Sequence, residues 1–462
     1  MTLTDSRGNA VTAGSRTALA LCEQAINQFA GFAGDPFAKL DAALAENPDF
    51  IMPHLVRGGI LASSTERGAE PLLRECVQAA SALSQHANER ERAHLAALRA
   101  WLDRDFDRSI ALYGRLLIDH PRDLFALQMA HLGDFYLGQT GLQRDRVARA
   151  LPDWDAAVPG FGFVLGMYAF GLEENAHYTA AEETGRRAVE LNPRDAWAIH
   201  AVAHVMEMQG RQHHGIDWLS SRAGDWAPDN AFAFHNWWHL ALFHLDLGEH
   251  QRVLDLYDRS IRPGHSQVVL EMIDASALLW RLRLRGVDVG GRWKPLADVW
   301  EPLIEDAYYA FNDVHAMMAL LGAGRVQAAG RLLQVLEQRA GDDDCNARVT
   351  REVGLPICRA LHAFDAGRFA QCIELLMPVR AIAHRFGGSH AQRDVLSLTL
   401  IEACMRGAQH RLARALAAER AALKPSSPFN LHLVDRTRTT LQAHELARQA
   451  EHGLGFTHSM PA

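Results

Sequence analysis

The chain has 462 residues, of which 48% are apolar and 22% are charged, and 47 Lys and Arg against 55 Asp and Glu give a formal net charge of −8. These values exclude a mostly disordered chain, because the apolar content is sufficient for a large core. A mildly acidic chain with interspersed charges also lacks the basic surface that nucleic-acid-binding proteins use. We therefore expect no nucleic-acid partner.

The cysteines and the N-terminus indicate the compartment. The six cysteines are scattered and form no CxxC pair, which favours a reducing environment. The first residues lack the apolar core of a signal peptide, and no uncharged apolar run reaches the ~18 residues of a membrane-spanning helix. The sequence predicts a soluble, cytoplasmic protein without a membrane segment.

Two terminal segments differ in composition from the rest of the chain. Residues 1–18 are polar and rich in Gly, Ser and Thr, and residues 453–462 read GLGFTHSMPA. Such termini are often poorly ordered. We predict two flexible ends around a single domain over residues 19–452.

Prolines at regular intervals divide this domain into repeats. Pro159, Pro193, Pro228 and Pro263 follow one another at 34, 35 and 35 residues. This is the tetratricopeptide interval, in which each unit is a helix–turn–helix. Neighbouring units must stack to bury their apolar faces. The sequence therefore predicts an all-α, tetratricopeptide-like helical-repeat superhelix, an α-solenoid, that curves around an internal pocket.

The segment from Tyr178 to Arg211 shows one unit in detail. Apolar and small residues recur at helical spacing as far as Leu191, and the following Asn-Pro pair ends that helix. We expect the next helix to begin near Asp195 and to end at Gly210.

Histidines recur at equivalent places in two adjacent units. His200 lies seven residues after Pro193 and His204 eleven, and His235 and His239 lie seven and eleven residues after Pro228. Residues i and i+4 share a helix face, and equivalent helices of stacked units lie about 8–10 Å apart. The two HxxxH pairs are therefore expected to face one another in one pocket.

Other side chains are expected to join the histidines. Glu207 lies three residues after His204 on the same face, and Trp237 and Trp238 supply aromatic walls for a bound molecule. Imidazole and carboxylate without thiol are ligands for a divalent metal such as Zn, Fe or Mn. We predict a metal site formed by His200, His204, Glu207, His235 and His239.

Two later segments contain further candidates. FNDVHAMMALLGAGR carries Asp313 and His315, and GGSHAQRD carries His390, Arg393 and Asp394. His390 and Asp394 are spaced as an acid–base dyad on one helix face, Asp313 is a third catalytic candidate, and Arg393 and His315 are candidate substrate-binding residues. Because two glycines precede that helix, its first N–H groups are also expected to meet an anion. We expect curvature of the superhelix to bring both segments to the histidine pocket.

A structural explanation of the histidines competes with this one. A histidine on an amphipathic helix is commonly a hydrogen-bonded structural residue, and duplication of a repeat can copy such a pair without chemistry. Two pairs in register, with a glutamate on the same face, favour a functional pocket.

Three phrases carry a family resemblance. Ala203–Arg211, Asn312–Gly324 and Gly387–Asp394 resemble the tetratricopeptide repeat protein 38 family, and the similarity extends from about residue 20 to about residue 450. The resemblance implies a soluble α-superhelix with a shared pocket at His204, Glu207, Asp313, His315, His390, Arg393 and Asp394. It supplies no reaction, so function has to be argued from the site.

Two functions are consistent with these patterns. The first is a pocket that binds a metal ion or a small, anionic molecule, as in a metal-dependent hydrolase, an oxygen-using enzyme or a metal-free His/Asp acid–base enzyme. The second is a non-catalytic scaffold that holds a peptide or a partner protein in its groove. The apolar helix Val395–Cys404 is also a candidate surface for a homodimer.

Overall fold

The structure, a computed structural model, describes residues 3–455, with side chains as far as residue 449. The chain begins with a two-stranded antiparallel hairpin, β1 (Leu3–Thr4) and β2 (Ala10–Val11), in which Leu3 pairs with Val11. Helices make up nearly all the remaining structure. Those of the first half are α1 (Arg16–Ala30), α2 (Pro36–Glu46), α3 (Ile51–Ala62), α4 (Glu70–Leu83), α5 (Glu89–Leu102), α6 (Phe106–Asp119), α7 (Leu124–Tyr136), α8 (Thr140–Ala150), α9 (Phe161–Glu173), α10 (Tyr178–Leu191), α11 (Ala196–Met208), α12 (Gln212–Ser221) and α13 (Ala223–Trp226).

The second half continues in the same manner, with single π-helical turns at 257–261 and 350–354 next to α15 and α21. Its helices are α14 (Ala233–Asp246), α15 (His250–Leu256), α16 (Val269–Leu284), α17 (Trp293–Trp300), α18 (Ala310–Gly322), α19 (Val326–Arg339), α20 (Cys345–Val349), α21 (Leu355–Asp365), α22 (Phe369–Val379), α23 (His390–Arg406), α24 (His410–Leu423) and α25 (Pro428–Gly455).

The predicted repeats are confirmed by the order and spacing of these helices. The first helices of successive units, α7, α9, α11 and α14, begin 37, 35 and 37 residues apart, and each is followed by the antiparallel second helix of its pair. The protein is an all-α, tetratricopeptide-like α-solenoid. Within residues 3–455, no helix is long and apolar enough to cross a membrane.

The sequence explains where the repeats begin and end. Asp123 and Asp195 each follow a Pro-Arg pair, and their carboxylates accept the N–H groups of Ala126 and Ala198, which caps α7 and α11. After α11 the chain turns at Gly210, whose φ of 69° lies in the region that favours glycine. The helix therefore occupies the range expected between Asp195 and Gly210.

The superhelix closes on itself instead of remaining open. The indole Nε1 of Trp101 donates to Tyr308 at 3.2 Å, Tyr309 Oη donates to the carbonyl of Tyr136 at 2.9 Å, and Asn312 Nδ2 donates to the carbonyl of Thr65 at 2.9 Å. These bonds join units that are far apart in sequence. The first helices thereby lie inside the molecule, and nearly every residue of α11 and α14 is buried.

The two termini differ from one another. Residues 3–18, expected to be flexible, pack against the first repeats: Val11 is 2% exposed, Arg7 Nε donates to the carbonyl of Pro159 at 2.9 Å, and Thr12 Oγ1 donates to Glu91 at 2.6 Å. Polar composition indicated flexibility here, but the polar groups bond to the repeats. Of the predicted tail 453–462, only the backbone of 453–455 is described, as the end of α25.

The helix proposed as a dimer surface lies inside the chain. Val395, Leu400 and Cys404 of α23 are between 0% and 2% exposed. This helix packs against α16, α22 and α24. Its apolar residues are therefore part of the core, and the argument for a homodimer through this helix is wrong.

Candidate metal centre

Four buried histidines converge between two neighbouring inner helices. His200 and His204 lie one turn apart on α11, and His235 and His239 lie one turn apart on α14. Their exposed fractions are between 0% and 7%, and one nitrogen of each lies within 4.8 Å of the corresponding nitrogens of the others. We call these four residues the histidine cluster. The spacing relative to Pro193 and Pro228 correctly indicated that the pairs meet.

The distances suit a single metal ion. His235 Nε2 and His239 Nε2 are 3.2 Å apart, and the ring centroids of His200 and His204 are 4.3 Å apart, as are those of His204 and His239. Metal–imidazole bonds of about 2.0–2.1 Å place the nitrogens of a tetrahedral site roughly 3.3 Å apart. The pair on α14 already has this separation, whereas the rings of the pair on α11 would have to reorient to reach it.

Two of the histidines are hydrogen-bonded to a carboxylate through Nδ1, and a third has a carboxylate nearby without a hydrogen bond. Asp274 Oδ2 lies 2.6 Å from His235 Nδ1, and Glu207 Oε2 lies 3.1 Å from His239 Nδ1. Glu173 Oε2 lies 3.3 Å from Nδ1 of His204. A carboxylate that receives the Nδ1 proton leaves the lone pair of Nε2 for a metal and fixes the ring.

Burial sets the charge of the rings. It lowers the pKa values of His200 and His239 well below the ordinary range, and the neighbouring imidazoles lower them further. These rings are therefore neutral, which is the form that binds metals. His204 differs: although burial opposes its charge, Glu173, Glu207 and Glu174 raise its pKa.

Glu207 supports the cluster from one side. Its carboxylate contacts His239 Nδ1 and accepts a hydrogen bond from Lys424 Nζ at 3.0 Å. Burial opposes the charge of Glu207, but Lys424 and His204 outweigh it and lower the pKa. The sequence predicted Glu207 as a metal ligand. In the structure its carboxylate instead contacts Nδ1 of His239 and is not part of the group of side chains that converge.

An aromatic cavity of about 80 Å³ borders the cluster at His200 and His235. This volume holds two or three water molecules or one small molecule. Most of its wall is apolar, and its few polar groups include Ser389 and Gln392 from the start of α23. The aromatic residues that line it are Phe32, Phe135, Tyr136, Trp197, Phe232, Phe234, Tyr309 and Phe311.

The two predicted tryptophans point in different directions. Trp238 is fully buried and stacks on His235 with ring centroids 5.3 Å apart, so it forms a wall of the cluster. Trp237 packs on Trp226 with centroids 4.6 Å apart. Its assignment as a wall of the pocket is wrong, because consecutive residues of a helix face directions roughly 100° apart.

His315 is buried but lies outside the cluster. Its Nδ1 donates to the carbonyl of Phe311 at 2.7 Å, and its ring packs on that of Phe311 with centroids 4.4 Å apart. Burial lowers the pKa of His315 to about 4. Within the described residues, the side chains that converge on a common point do not include His315.

The expected dyad of His390 and Asp394 does not form. Asp394 binds Arg420 through both carboxylate oxygens, and His390 Nε2 donates to the carbonyl of Glu174 at 3.1 Å. Arg420 outweighs burial and lowers the pKa of Asp394. The i, i+4 spacing placed the two residues on one face correctly, but the carboxylate of Asp394 pairs with the guanidinium of Arg420 instead of with His390.

The anion expected at the start of α23 is a carboxylate of the chain itself. The N–H group of His390 donates to Glu174 Oε1 at 2.9 Å, and Arg393 Nη2 lies 3.4 Å from Glu174 Oε2. Ser389 and Gln392 form a capping box that uses two further groups of the first turn. Arg393 therefore holds α23 to the end of α9 instead of pointing to the cluster.

Asp313 lies in a different cavity, which has a volume of about 330 Å³. Glu66 and Asp306 line the same cavity, and burial raises the pKa of Asp313 to about 8. Tyr309 lines both this cavity and the one beside the histidines. The structure thus separates Asp313 from the histidines with which it was grouped.

The sequence prediction missed the carboxylates of Glu173 and Asp274, although their positions follow the same register. Glu173 lies 14 residues after Pro159, as Glu207 lies 14 after Pro193. Asp274 lies 11 residues after Pro263, the place that His204 and His239 occupy in their own units. An acidic residue within an otherwise apolar helix was the additional signal.

Comparison with known proteins adds little to this geometry. The sequence matches no protein-family model. Among solved structures, the crystal structure of the yeast Tom70 aligns with 96% of this chain and 99% of its own, with 11% sequence identity and a TM-score of 0.33.

Proposed function

We propose that this protein binds one divalent transition-metal ion through the histidine cluster. One observation carries the proposal: four buried imidazoles converge within 4.8 Å, and in two of them Nδ1 is hydrogen-bonded to a carboxylate while the two Nε2 atoms face one another. Among the described residues, neither nitrogen of His200 has a hydrogen-bond partner. Such buried polar groups each cost about 1–3 kcal/mol, and a bound metal would remove that cost for one of the two nitrogens.

Four imidazole donors suit zinc or iron, and manganese fits less well because it prefers oxygen ligands. All four ligands are imidazole nitrogens without thiolate, and the neighbouring carboxylates would balance part of the charge of the ion. Four-coordinate zinc would have no open position, whereas five- or six-coordinate iron or manganese would keep one or two. The 80 Å³ cavity beside His200 and His235 would supply water or dioxygen to such a position. A metal-dependent hydrolase or oxygen-using enzyme is the activity that this arrangement supports best.

Membership of the tetratricopeptide repeat protein 38 family is part of this proposal. Of its three phrases, Ala203–Arg211 contributes His204 and Glu207 to the cluster and its support, and Gly387–Asp394 contributes Ser389 and Gln392 to the adjoining cavity.

A peptide-binding scaffold is the alternative. A peptide at this place would have to displace α23, which packs on α11 and α16.

Metal analysis of the purified protein tests the proposal. We expect close to one Fe, Mn or Zn per chain by mass spectrometry, and a loss of most of it in the His204→Ala and His239→Ala variants. His244→Ala is the matched control, because His244 is a buried histidine on the same helix as His239 but pairs with Glu249. A metal-free wild-type protein that also fails to bind added Fe²⁺, Mn²⁺ or Zn²⁺ would favour the scaffold.

A further inference from the structure

The cavity that contains Asp313 has the composition of a binding site. It lies between the turn at 65–68, the first residue of α16, the segment from Trp300 to Tyr309, and α18, and its volume is about 330 Å³. Three carboxylates, three aromatic rings and several aliphatic side chains line it. We call it the Asp313 cavity; its lining includes Thr65, Glu66, Arg67, Val269, Trp300, Leu303, Asp306, Tyr308, Tyr309, Asn312, Asp313, Ala316 and Leu332.

Its polar atoms include hydrogen-bond acceptors without donors. Asp313 is 6% exposed and Thr65 is 3% exposed, and among the described residues neither Asp313 Oδ2 nor Thr65 Oγ1 has a hydrogen-bond partner. The carbonyl oxygen of the Asn312 side chain also has none, whereas its Nδ2 atom donates to the backbone carbonyl of Thr65. Buried acceptors without donors are costly, so the cavity favours a ligand that brings N–H groups.

The charge of the cavity also favours a ligand that carries N–H groups. Glu66, Asp306 and Asp313 are acidic, and Arg67 is the one cation among the lining residues. Nη1 of Arg67 donates to the backbone carbonyls of Glu305 and Asp306 at 3.1 and 3.3 Å. Burial raises the pKa values of all three carboxylic acids, and Asp306 raises those of Glu66 and Asp313 further. A positively charged ligand would favour the ionised form of these acids and pair with it.

A single metal ion does not suit the cavity. Across the described side chains, only two groups of three or more metal-ligating residues converge within 4.8 Å, and neither contains Glu66, Asp306 or Asp313. Hard cations need several oxygens in one shell of about 2.0–2.6 Å. The separated carboxylates and the large volume instead favour a ligand that has charged groups some distance apart.

The walls fit the apolar part of such a ligand. Trp300, Tyr308 and Tyr309 present aromatic rings, and Leu303 and Leu332 present aliphatic surface. Ammonium groups bind well over aromatic faces, and methylene groups gain from burial against leucine. We propose that the Asp313 cavity binds a small aliphatic amine with more than one ammonium group, of the size of a diamine or short polyamine. This site is independent of the histidine cluster.

Calorimetric titration of the full-length protein with putrescine and spermidine tests the proposal. We expect saturable binding of at least one of them at one molecule per chain, at least tenfold weaker in Asp313→Asn and in Asp306→Asn. Asp306 is partly exposed, so its variant tests the site even if Asp313→Asn does not fold. Glu305→Gln is the matched control: it removes one negative charge next to Asp306, but Glu305 is exposed and does not line the cavity. It should bind as the wild type does.

Three further results would overturn the amine site. The first is equal binding of 1,4-butanediol, which has the length of putrescine without its charge. The second is binding of Mg²⁺ or Ca²⁺ that Asp313→Asn abolishes, with no binding of either amine. The third is amine binding that both carboxylate variants leave unchanged. The His204→Ala variant should bind amines normally, so failure of the metal proposal and failure of the amine proposal are distinguishable.

Discussion

The Nδ1 atom of His235 lies 2.6 Å from Oδ2 of Asp274, on the opposite side of the ring from the 3.2 Å contact between His235 Nε2 and His239 Nε2. A carboxylate in this position increases the basicity of the imidazole and fixes its orientation. Removal of such a partner commonly reduces metal affinity 10–100-fold. The residues behind the histidines are therefore expected to matter nearly as much as the histidines.

Asp274→Asn should weaken metal binding by about 10–100-fold, because the amide is a weaker acceptor for the Nδ1 proton. Competition with a chromophoric chelator measures the affinity. Glu249→Gln is the matched control, since Glu249 holds Nδ1 of His244 in the same manner away from the cluster. Equal affinity of the Asp274→Asn and wild-type proteins would contradict a metal at Nε2 of His235.

A second prediction concerns the cap of α11. Burial raises the pKa of Asp195 to about 7, from an ordinary value near 4. The folded protein therefore keeps a proton that the unfolded chain releases, and stability falls as the pH rises from about 4 to about 7. Asp195→Asn remains neutral and still caps the helix. Relative to wild type, it should gain stability across this window, by up to roughly 4 kcal/mol.

Asp123 provides the control, because it caps α7 at the equivalent position but binds a cation. Arg90 Nη1 and His94 Nε2 lie 2.6 and 2.8 Å from Oδ2 of Asp123. Although burial opposes its charge, these partners hold the pKa of Asp123 well below its usual range. Asp123→Asn should lose stability by a similar amount at pH 5 and pH 7 in urea titrations. The same pH profile in both variants would contradict the assignment.

At the residue scale, the sequence predicted where the histidines lie better than it predicted which partners the other candidate residues bond to. The repeat register located His200, His204, His235 and His239 because each helix repeats its geometry. It could not show that Arg420 forms an ion pair with Asp394, or that Glu174 accepts a hydrogen bond from the first turn of α23. The bond between Glu174 and His390 joins residues 216 positions apart, and a period of about 35 residues contains no information about such contacts. Arg420 and Asp394 are only 26 positions apart, but the period does not show which side chains of consecutive helices bond.

At the scale of the elements, the turn before α23 fits its surroundings closely. Gly387 has a φ of 85°, and a Cβ there would overlap Tyr309 Oη and lie 2.7 Å from the carbonyl oxygen of Tyr136. Gly367, between α21 and α22, has a similar φ of 72° but open space around it. Both glycines have a positive φ, but the ψ of Gly387 is −162°, in a region that essentially only glycine adopts, so Gly387 has a stricter backbone requirement as well as tighter packing.

Gly387→Ala and Gly367→Ala should therefore differ in stability. The positive φ costs a side chain about 1–2 kcal/mol at Gly367, and the cost is higher at Gly387, whose ψ of −162° lies in a region that essentially only glycine adopts. At Gly387, overlap with Tyr309 and Tyr136 should add about 1–3 kcal/mol. Thermal or urea unfolding of the two variants measures the difference. Equal destabilisation would show that the contact between this turn and the repeats of the first half is loose.

At the scale of the whole molecule, closure distinguishes this superhelix from an open array. In an open array each unit contacts only its neighbours, and local changes remain local. Here Tyr309 Oη donates to the carbonyl of Tyr136, 173 positions away, and Tyr136 Oη donates to the carbonyl of Ser63, 73 positions away. The repeat period predicted the stack of helix pairs, whereas closure depends on the total curvature of all units.

Two matched Tyr→Phe variants test whether the closed superhelix behaves as one cooperative unit. Each removes one hydroxyl and should cost about 1 kcal/mol. Tyr136→Phe should increase amide hydrogen exchange in α3 and α7 only, because both groups of its hydrogen bond lie in or next to those helices. Tyr309→Phe should increase exchange in α7 and α18 together, although these helices are far apart in sequence. Exchange that increases only in α18 would show that the two halves open independently, and the closing contacts would then contribute no cooperativity.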